Sequence, residues 1–194
     1  RVNTLAALNE VVGSNDLYTS RFRLAHNTRD SPFLPTEGHF LELIYDQVFG
    51  SYDFPRGQIN YSKYFLIRER ADGGGRHTLT SSWKFGFSGT DTPIFENYFA
   101  GGYTTMRGFA FRGASPVEND VQIGGRFMFL GSLEYMFPLT ADDMLRMVAF
   151  CDYGTIEKNI EMHSDNFRVA PGLGLRVAIP ALGPGPAPRL AARV

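Results

Sequence analysis

Three ionisable residues, Arg107, Glu134 and Asp152, stand at positions where a fold could bring them together. Arg107 lies in "FENYFAGGYTTMRGFAFRG" (95–113), a segment dense in glycine and aromatic residues. Glycines allow close backbone approach and phenylalanines need apolar surroundings, so we expect this segment to fold inward. An arginine carried inward needs carboxylates, because an unpaired buried guanidinium is costly. Composition alone leaves a solvated loop arginine open as the alternative.

Two carboxylates could instead act as a general acid and a general base, as they do in glycosidases. That mechanism needs one acid to hold its proton, whereas a neighbouring arginine favours the ionised form of Glu134 and Asp152. An enzyme using this pair is therefore a remote alternative, and we expect no catalytic residue. The four histidines are scattered without ligand spacing, and no phosphate-binding loop occurs, so neither a metal nor a cofactor is expected.

Alternating apolar and polar residues dominate the chain, and they predict an all-β protein. The clearest run is 76–88, where Leu79, Trp83 and Phe85 share one face. Glu134 and Asp152 fall on the charged faces of their runs. About seven strands are predicted, over 17–26, 39–49, 58–69, 76–88, 126–137, 144–153 and 167–179.

Strand length favours a membrane-spanning sheet. Strands in soluble sheets usually have about five or six residues, whereas a tilted strand needs about 9–11 to cross a bilayer. The connections 50–57, 89–125 and 154–166 are predicted to include the two longest, with turn-like segments at the other end. Alternation cannot tell which face points inward, so a soluble sandwich or lipocalin-like barrel stays open. Lys63 is a misfit on its apolar face unless it snorkels at a rim.

Charge and cysteine content exclude several classes of protein. The 194 residues carry 19 Lys and Arg against 20 Asp and Glu, a net charge of -1, which does not suit a general nucleic-acid binder. One cysteine excludes an internal disulfide framework. No apolar run is long enough for a membrane-spanning helix.

Several motifs, in this order along the chain, resemble those of the BamA family of outer-membrane assembly proteins. The segment "GGYTTMRGF" (101–109) resembles the family's loop-six signature through Gly101, Gly102, Arg107, Gly108 and Phe109. Four other segments resemble family turns and strands, namely "NTRDSPFLPTEGHFLE" (27–42), "GSLEYMFPL" (131–139), "AFCDYGTI" (149–156) and "PGLGLRVAIPALGP" (171–184).

The resemblance implies a C-terminal, sixteen-stranded transmembrane barrel, of which residues 1–194 would supply seven or eight antiparallel strands. Loop six would span about 89–125 and fold into the barrel, where Arg107 would pack against Glu134 and Asp152. We expect no POTRA domain within 1–194, although such domains usually precede the barrel. The end of the chain, 185–194, is atypical or truncated, because it lacks alternation and a terminal aromatic residue.

The resemblance also implies a non-enzymatic insertase that folds β-barrel proteins into the outer membrane of a Gram-negative-type bacterium. Its partners would be outer-membrane lipids, unfolded β-barrel clients and accessory lipoproteins, with no nucleic acid. A related transporter of the two-partner-secretion type carries nearly the same loop signature, so it stays open as an alternative.

Overall fold

A computed structural model describes residues 11–177, and these form one long-stranded antiparallel sheet beside a two-stranded hairpin. Chain neighbours pair directly throughout the large sheet, apart from the long connection that precedes β7. The sheet order is β1-β2-β3-β4-β7-β8-β9. The strands are β1 (Leu17–Asn27), β2 (Gly38–Gly50), β3 (Phe54–Arg68), β4 (His77–Ser88), β5 (Val117–Glu118), β6 (Val121–Gln122), β7 (Phe127–Pro138), β8 (Leu145–Glu157) and β9 (Arg168–Val177).

All seven predicted strands occur, and the all-β prediction is confirmed. Each long strand has 10 to 15 residues, as the alternation indicated. Within the described range, β1 and β9 are edge strands of a sheet that does not close. No helix among residues 11–177 is long and apolar enough to span a membrane. The predicted atypical end, 185–194, lies outside the described residues.

One predicted connection is wrong. Residues 50–57 were expected to form a loop, but β2 runs to Gly50 and β3 begins at Phe54, so only 51–53 connect them. Gly50 adopts a φ of +123° and lies against the carbonyl of Asp16, which lets the chain reverse within this short space. The connections at this end, which we call the loop end, are therefore one tight turn (51–53) and two loops (89–126 and 158–167).

The opposite end, the turn end, carries the connections 28–37, 69–76 and 139–144. The first is organised by Asp30, whose carboxylate accepts hydrogen bonds from the Thr36 hydroxyl (2.6 Å) and from the backbone N–H groups of Thr36 (2.8 Å) and Glu37 (3.1 Å). Gly38 closes the turn with a φ of +91°, and a Cβ there would lie 2.2 Å from the Thr28 carbonyl oxygen.

The two faces of the sheet differ in chemistry. Strand register places Asp152, Ser132 and Ser82 in one row on the face that the 89–126 loop covers, which we call the inner face. The outer face carries large apolar side chains that nothing in the described chain covers. They include Tyr18, Phe22, Leu24, Phe49, Phe65, Phe85, Phe87, Leu133, Leu173 and Leu175, each more than 40% exposed.

The loop 89–126 packs onto the inner face, so the predicted inward-folded loop is confirmed. Its side chains meet a small apolar patch of the sheet, which accounts for apolar residues on an otherwise polar face. The buried cluster consists of Tyr98, Ala100, Met106 and Ala114 from the loop and Met128, Leu130 and Ile156 from the sheet. The sheet therefore separates an exposed, apolar outer face from an inner face that carries charged side chains and is covered by the loop.

Candidate functional site: an arginine clamp inside the sheet

The tip of the loop is a tight glycine turn. The Gly102 N–H donates to the Phe109 carbonyl (3.0 Å), and the Met106 N–H donates to the Gly102 carbonyl (3.1 Å). The Gly101 N–H donates to the Thr105 hydroxyl oxygen (2.9 Å), and that hydroxyl donates to the Gly101 carbonyl (3.0 Å). These bonds make a compact turn of residues 101–109. The Arg107 side chain leaves this turn towards the sheet.

Gly101, Gly102 and Gly108 all adopt positive φ, at +118°, +95° and +87°. A Cβ on Gly101 would lie 2.4 Å from the carbonyl oxygen of Ala110, so this position has no room for a side chain. A Cβ on Gly108 would approach the Cβ of Ala170 on β9 to 3.3 Å, which places the loop tip against that strand. All three glycines therefore suit the backbone conformation, and Gly101 and Gly108 also allow close approach.

Arg107 is held by two neighbouring strands. Its Nε and Nη2 donate to the two carboxylate oxygens of Asp152 on β8 (2.8 and 2.6 Å), and its backbone N–H donates to Asp152 as well (3.0 Å). Nη1 donates to Glu134 on β7 (2.5 Å), and Nη2 also donates to the Ser132 hydroxyl oxygen (3.0 Å). The structure thus brings together the three charged residues that the sequence singled out.

The surroundings strengthen this clamp. The side chains of Arg107, Glu134 and Asp152 are only 18%, 16% and 4% exposed, which limits screening by water. The guanidinium lies 3.7 Å from the ring centroid of Phe150, a cation–π contact that covers one side of its plane. The Ser132 hydroxyl donates to Asp152 (2.7 Å), so both carboxylate oxygens of Asp152 are occupied.

A second arginine completes the charge balance. Arg176 on β9 donates from Nη2 to the other oxygen of Glu134 (2.7 Å), so Glu134 bridges two guanidinium groups. On β9, Gly172 leaves room for the Phe150 ring, and Gly174 has nothing within 4 Å of where a Cβ would be. Two arginines and two carboxylates therefore form a neutral cluster, which lowers the cost of burying charge.

Phe109 follows the clamp and is half-buried against the apolar cluster. Its ring lies 5.9 Å from the Arg168 guanidinium on β9. The five motif residues therefore have separate roles: glycines shape the turn, Arg107 makes the ionic contacts and Phe109 packs. What these contacts do for the protein's activity stays a prediction.

A second attachment of the loop was not predicted from the sequence. Tyr98 is 4% exposed, and its hydroxyl donates to the Gly57 carbonyl on β3 (2.9 Å). Arg56 stacks over the Tyr98 ring (4.5 Å) and donates to Glu96 (2.9 Å). The alternation places Arg56 in the predicted connection 50–57 and not in β3, so it does not predict which face of the sheet Arg56 occupies. We call this set, Arg56, Glu96 and Tyr98, the tyrosine anchor.

The tyrosine anchor fits a slot made by a glycine. A Cβ on Gly86 of β4 would lie 2.7 Å from the Tyr98 ring, so only glycine leaves room there. Tyr98 and Gly125 also exchange backbone hydrogen bonds (2.8 and 3.0 Å), which closes the base of the loop. The loop is thus held at its base and at its tip. Among the residues that the structure describes, no three His, Cys, Asp or Glu side chains are grouped to hold a metal.

Comparison with known proteins decides the family. The sequence matches the Omp85 superfamily domain over residues 3–185. The chain belongs to the Omp85 superfamily. This match confirms the resemblance read from the loop motif, and it agrees with the long antiparallel strands and inward loop of the structure.

Two curated relatives are similar to this Omp85 chain. The outer membrane protein assembly factor BamA of Nitratidesulfovibrio vulgaris is 27% identical over 177 residues, covering 87% of this chain and 22% of the relative. The SAM50-like protein CG7639 of Drosophila melanogaster is 25% identical over 170 residues, covering 82% of this chain and 37% of the relative. The chain therefore spans about a fifth to somewhat over a third of these relatives.

A solved structure supports the same fold. The crystal structure of BamA from Haemophilus ducreyi lacking POTRA domains 1-3 superposes with a TM-score of 0.71 at 18% identity, covering 84% of this chain and 36% of that one. The described sheet of this Omp85 chain is accordingly part of an antiparallel transmembrane β-barrel. Its apolar outer face is the lipid-facing side, and its ionic inner face lines the interior.

Proposed function

We propose that this chain is the barrel part of an insertase that folds and inserts β-barrel proteins into the outer membrane of a Gram-negative-type bacterium. The proposal rests on the Omp85 family and on the bacterial relative, whose name is that of an outer membrane protein assembly factor. The location in a bacterium rests on that relative, since a SAM50-like protein of Drosophila melanogaster is also similar to this chain.

The observation that carries the proposal is the arginine clamp. A loop that crosses the inner face and is held there by Arg107, Glu134 and Asp152 leaves the lipid-facing strands unobstructed. We propose that this contact keeps the barrel wall in one shape while clients are inserted elsewhere in the complete barrel. The residues 1–194 would then form an incomplete C-terminal barrel domain, with loop six over about 89–125 and 185–194 as its atypical end.

We infer that the activity is non-enzymatic. Both carboxylate oxygens of Asp152 accept hydrogen bonds, and both oxygens of Glu134 face arginines. Neither acid is placed to give up a proton, so a glycosidase-type pair is disfavoured. The partners that we propose are outer-membrane lipids, unfolded β-barrel clients and accessory lipoproteins, with no nucleic acid and no cofactor.

Reconstitution of the full-length protein in vesicles tests the proposal. An unfolded client barrel is added outside, and its integration is followed by heat-modifiable gel mobility and resistance to alkaline extraction. We expect integrated client with the wild type and much less with Arg107→Ala. A client recovered as soluble protein inside the vesicles would instead favour the two-partner-secretion-type transporter. Integration no faster than in empty vesicles would contradict the insertase.

A further inference from the structure

Lys63 is a cation on the lipid-facing side of the sheet. Strand register places it opposite His39 of β2 and Ser81 of β4, in the row between Tyr61 and Phe65 on the outer face. Its neighbours along the outer faces of β3 and β4 are otherwise mainly aromatic and aliphatic. A charged group at such a position is unfavourable unless it reaches a polar partner.

Within the described chain, the Lys63 ammonium has neither a hydrogen-bond nor an ion-pair partner. The ammonium instead lies over the Phe65 ring, with Nζ 5.6 Å from the ring centroid. Among the outward-facing strand positions of residues 11–177, the one acidic side chain is Glu157, at the loop end of β8. The interior arginines behave differently, since several of them pair with carboxylates, including Arg21, Arg23, Arg56, Arg107 and Arg176.

The height of Lys63 in the membrane follows from strand geometry. The 15 residues of β3 extend about 49 Å at about 3.3 Å each, or about 35 Å along the membrane normal at a tilt of about 45°. An apolar band of about 25 Å centred on β3 leaves about 5 Å of strand beyond each boundary. Lys63 precedes the last residue, Arg68, by five positions, which is about 12 Å along the normal.

Lys63 therefore starts about 7 Å inside the boundary at the turn end, a distance that the four-carbon stem of lysine spans. The contact with Phe65 shows the direction taken, because Phe65 lies on the turn-end side of Lys63. The ammonium thus extends towards the headgroup layer at the turn end. The neighbouring His39 and Ser81 add polar side chains to the same row.

We propose that Lys63, flanked by His39 and Ser81, binds the phosphate group of a membrane phospholipid at the turn end of the barrel. The argument is one of charge complementarity. An ammonium without a carboxylate partner on a lipid-facing surface matches the anionic group that lies at that depth. The site depends on the transmembrane fold and is independent of the proposed insertase activity.

Lipid binding to the full-length protein in a neutral maltoside detergent tests the site. Phosphatidylglycerol is titrated, and bound lipids are counted by native mass spectrometry. Removing one lysine near the headgroups should weaken the tightest binding step about fivefold in Lys63→Gln. Lys63→Arg should keep the affinity, and Lys84→Gln, which removes a lysine from the inner face of β4, should leave it unchanged.

Three results would overturn the proposal. These are wild-type affinity in Lys63→Gln, an equal loss in Lys84→Gln, and displacement of the lipid by millimolar inorganic phosphate, which would indicate a soluble anion as the ligand. Folding of each variant is checked by heat-modifiable mobility. If Lys63→Gln does not fold, Lys63→Met suits a lipid-facing position and should give the same loss of binding.

Discussion

Arg107 joins a loop to two strands through its backbone N–H and all three guanidinium nitrogens. The contact matters because each carboxylate would otherwise be a buried or half-buried negative charge. If Arg107 is removed, Arg176 still neutralises the charge of Glu134, whereas Asp152 keeps only the hydrogen bond from Ser132. The cost of losing Arg107 should therefore come mainly from Asp152.

Replacing Arg107 should test this directly. We expect Arg107→Ala to lower the free energy of unfolding by about 3 kcal/mol, because it leaves Asp152 uncompensated. Reversible denaturant unfolding of the barrel in phospholipid vesicles measures the change. Arg112→Ala is the matched control, since Arg112 lies in the same loop and its guanidinium stacks on the rings of Phe99 and Phe111 without a carboxylate partner in the described chain. Equal stability of Arg107→Ala and wild type would contradict the clamp.

Alanine substitutions at the paired glycines of the motif, Gly101 and Gly102, are predicted to differ in how much they lower stability. Gly101 and Gly102 both have positive φ, so an alanine at either is strained by about 1–3 kcal/mol. Only at Gly101 would the new Cβ clash, at 2.4 Å from the Ala110 carbonyl oxygen, whereas at Gly102 the nearest atom, the Phe111 Cα, lies at an ordinary contact distance of 3.6 Å. Gly101→Ala should therefore lower the unfolding midpoint more than Gly102→Ala, and the reverse order would contradict the turn geometry described here.

At the scale of elements, the 89–126 loop is attached twice, by the arginine clamp at its tip and by the tyrosine anchor at its base. The two attachments use different strands, β7 to β9 for the tip and β3 with β4 for the base. When one attachment is lost, the other still restricts the motion of the loop. The loop is therefore expected to respond cooperatively to damage.

This expectation can be measured by hydrogen–deuterium exchange over residues 95–113 of the full-length protein. Arg107→Ala and Tyr98→Ala should each increase exchange mainly near their own end of the loop. The double variant should increase it across the whole segment, by more than the sum of the single effects. Exchange in β2 serves as the control and should not change. Strictly additive effects would show that the two attachments are independent.

The β1–β2 turn should be sensitive to acid through Asp30. Partial burial raises the pKa of this carboxyl, but hydrogen bonds from the Thr36 hydroxyl and from the Glu37 and Thr36 backbone outweigh it, so the pKa lies below its ordinary value. A lowered pKa in the folded state stabilises the protein above the unfolded pKa of about 3.9. That contribution is lost as the pH falls through the lower, folded value.

Asp30→Asn should accordingly be less stable than wild type at pH 7, by about 1 kcal/mol, because an amide has one acceptor oxygen in place of two and loses the bond from the Thr36 hydroxyl. The difference in unfolding free energy should shrink as the pH falls below about 3.9. Asp91→Asn is the control, since Asp91 lies in an exposed stretch and accepts only a long bond from Thr90 (3.4 Å). A difference that stays constant with pH would contradict the role of the ionised carboxylate.

At the scale of the whole molecule, the sheet separates lipid from an ionic interior. Leu133 on the outer face is 44% exposed in the described chain, and bilayer is expected to cover it. Thr80 lies on the opposite, inner face and is directly paired with Glu134. The two positions are on neighbouring strands, so they differ chiefly in the medium that they face.

An arginine placed at these two positions should destabilise the protein to very different extents. Leu133→Arg should cost about 2–4 kcal/mol of folding free energy in phospholipid vesicles, as lipid-facing charges do near the bilayer midplane. Thr80→Arg should cost no more than about 1 kcal/mol, since Thr80 lines an open cavity on the inner face together with Ser82 and Ser132. Denaturant unfolding of both variants in the same vesicles makes the comparison. Equal costs would contradict the assignment of the two faces.

Local pattern alone determined much of this protein. Period-two alternation marks strands and sorts side chains between two faces, so the seven strands and the shared face of Glu134 and Asp152 were predictable. The short turn at 51–53 was not, because residues 54–57 break the alternation with Pro55 and Gly57.

Tertiary structure decided which distant groups meet. The bridge from Arg176 to Glu134 crosses an intervening strand, and the pairing of Arg56 with Glu96 joins residues 40 positions apart. Such contacts depend on strand order and on space left by Gly86, Gly172 and Gly174, which no local pattern encodes. Alternation also could not predict which face contacts lipid, because it separates the two faces without indicating which of them points outward. The packing of the loop on the ionic face removed that ambiguity.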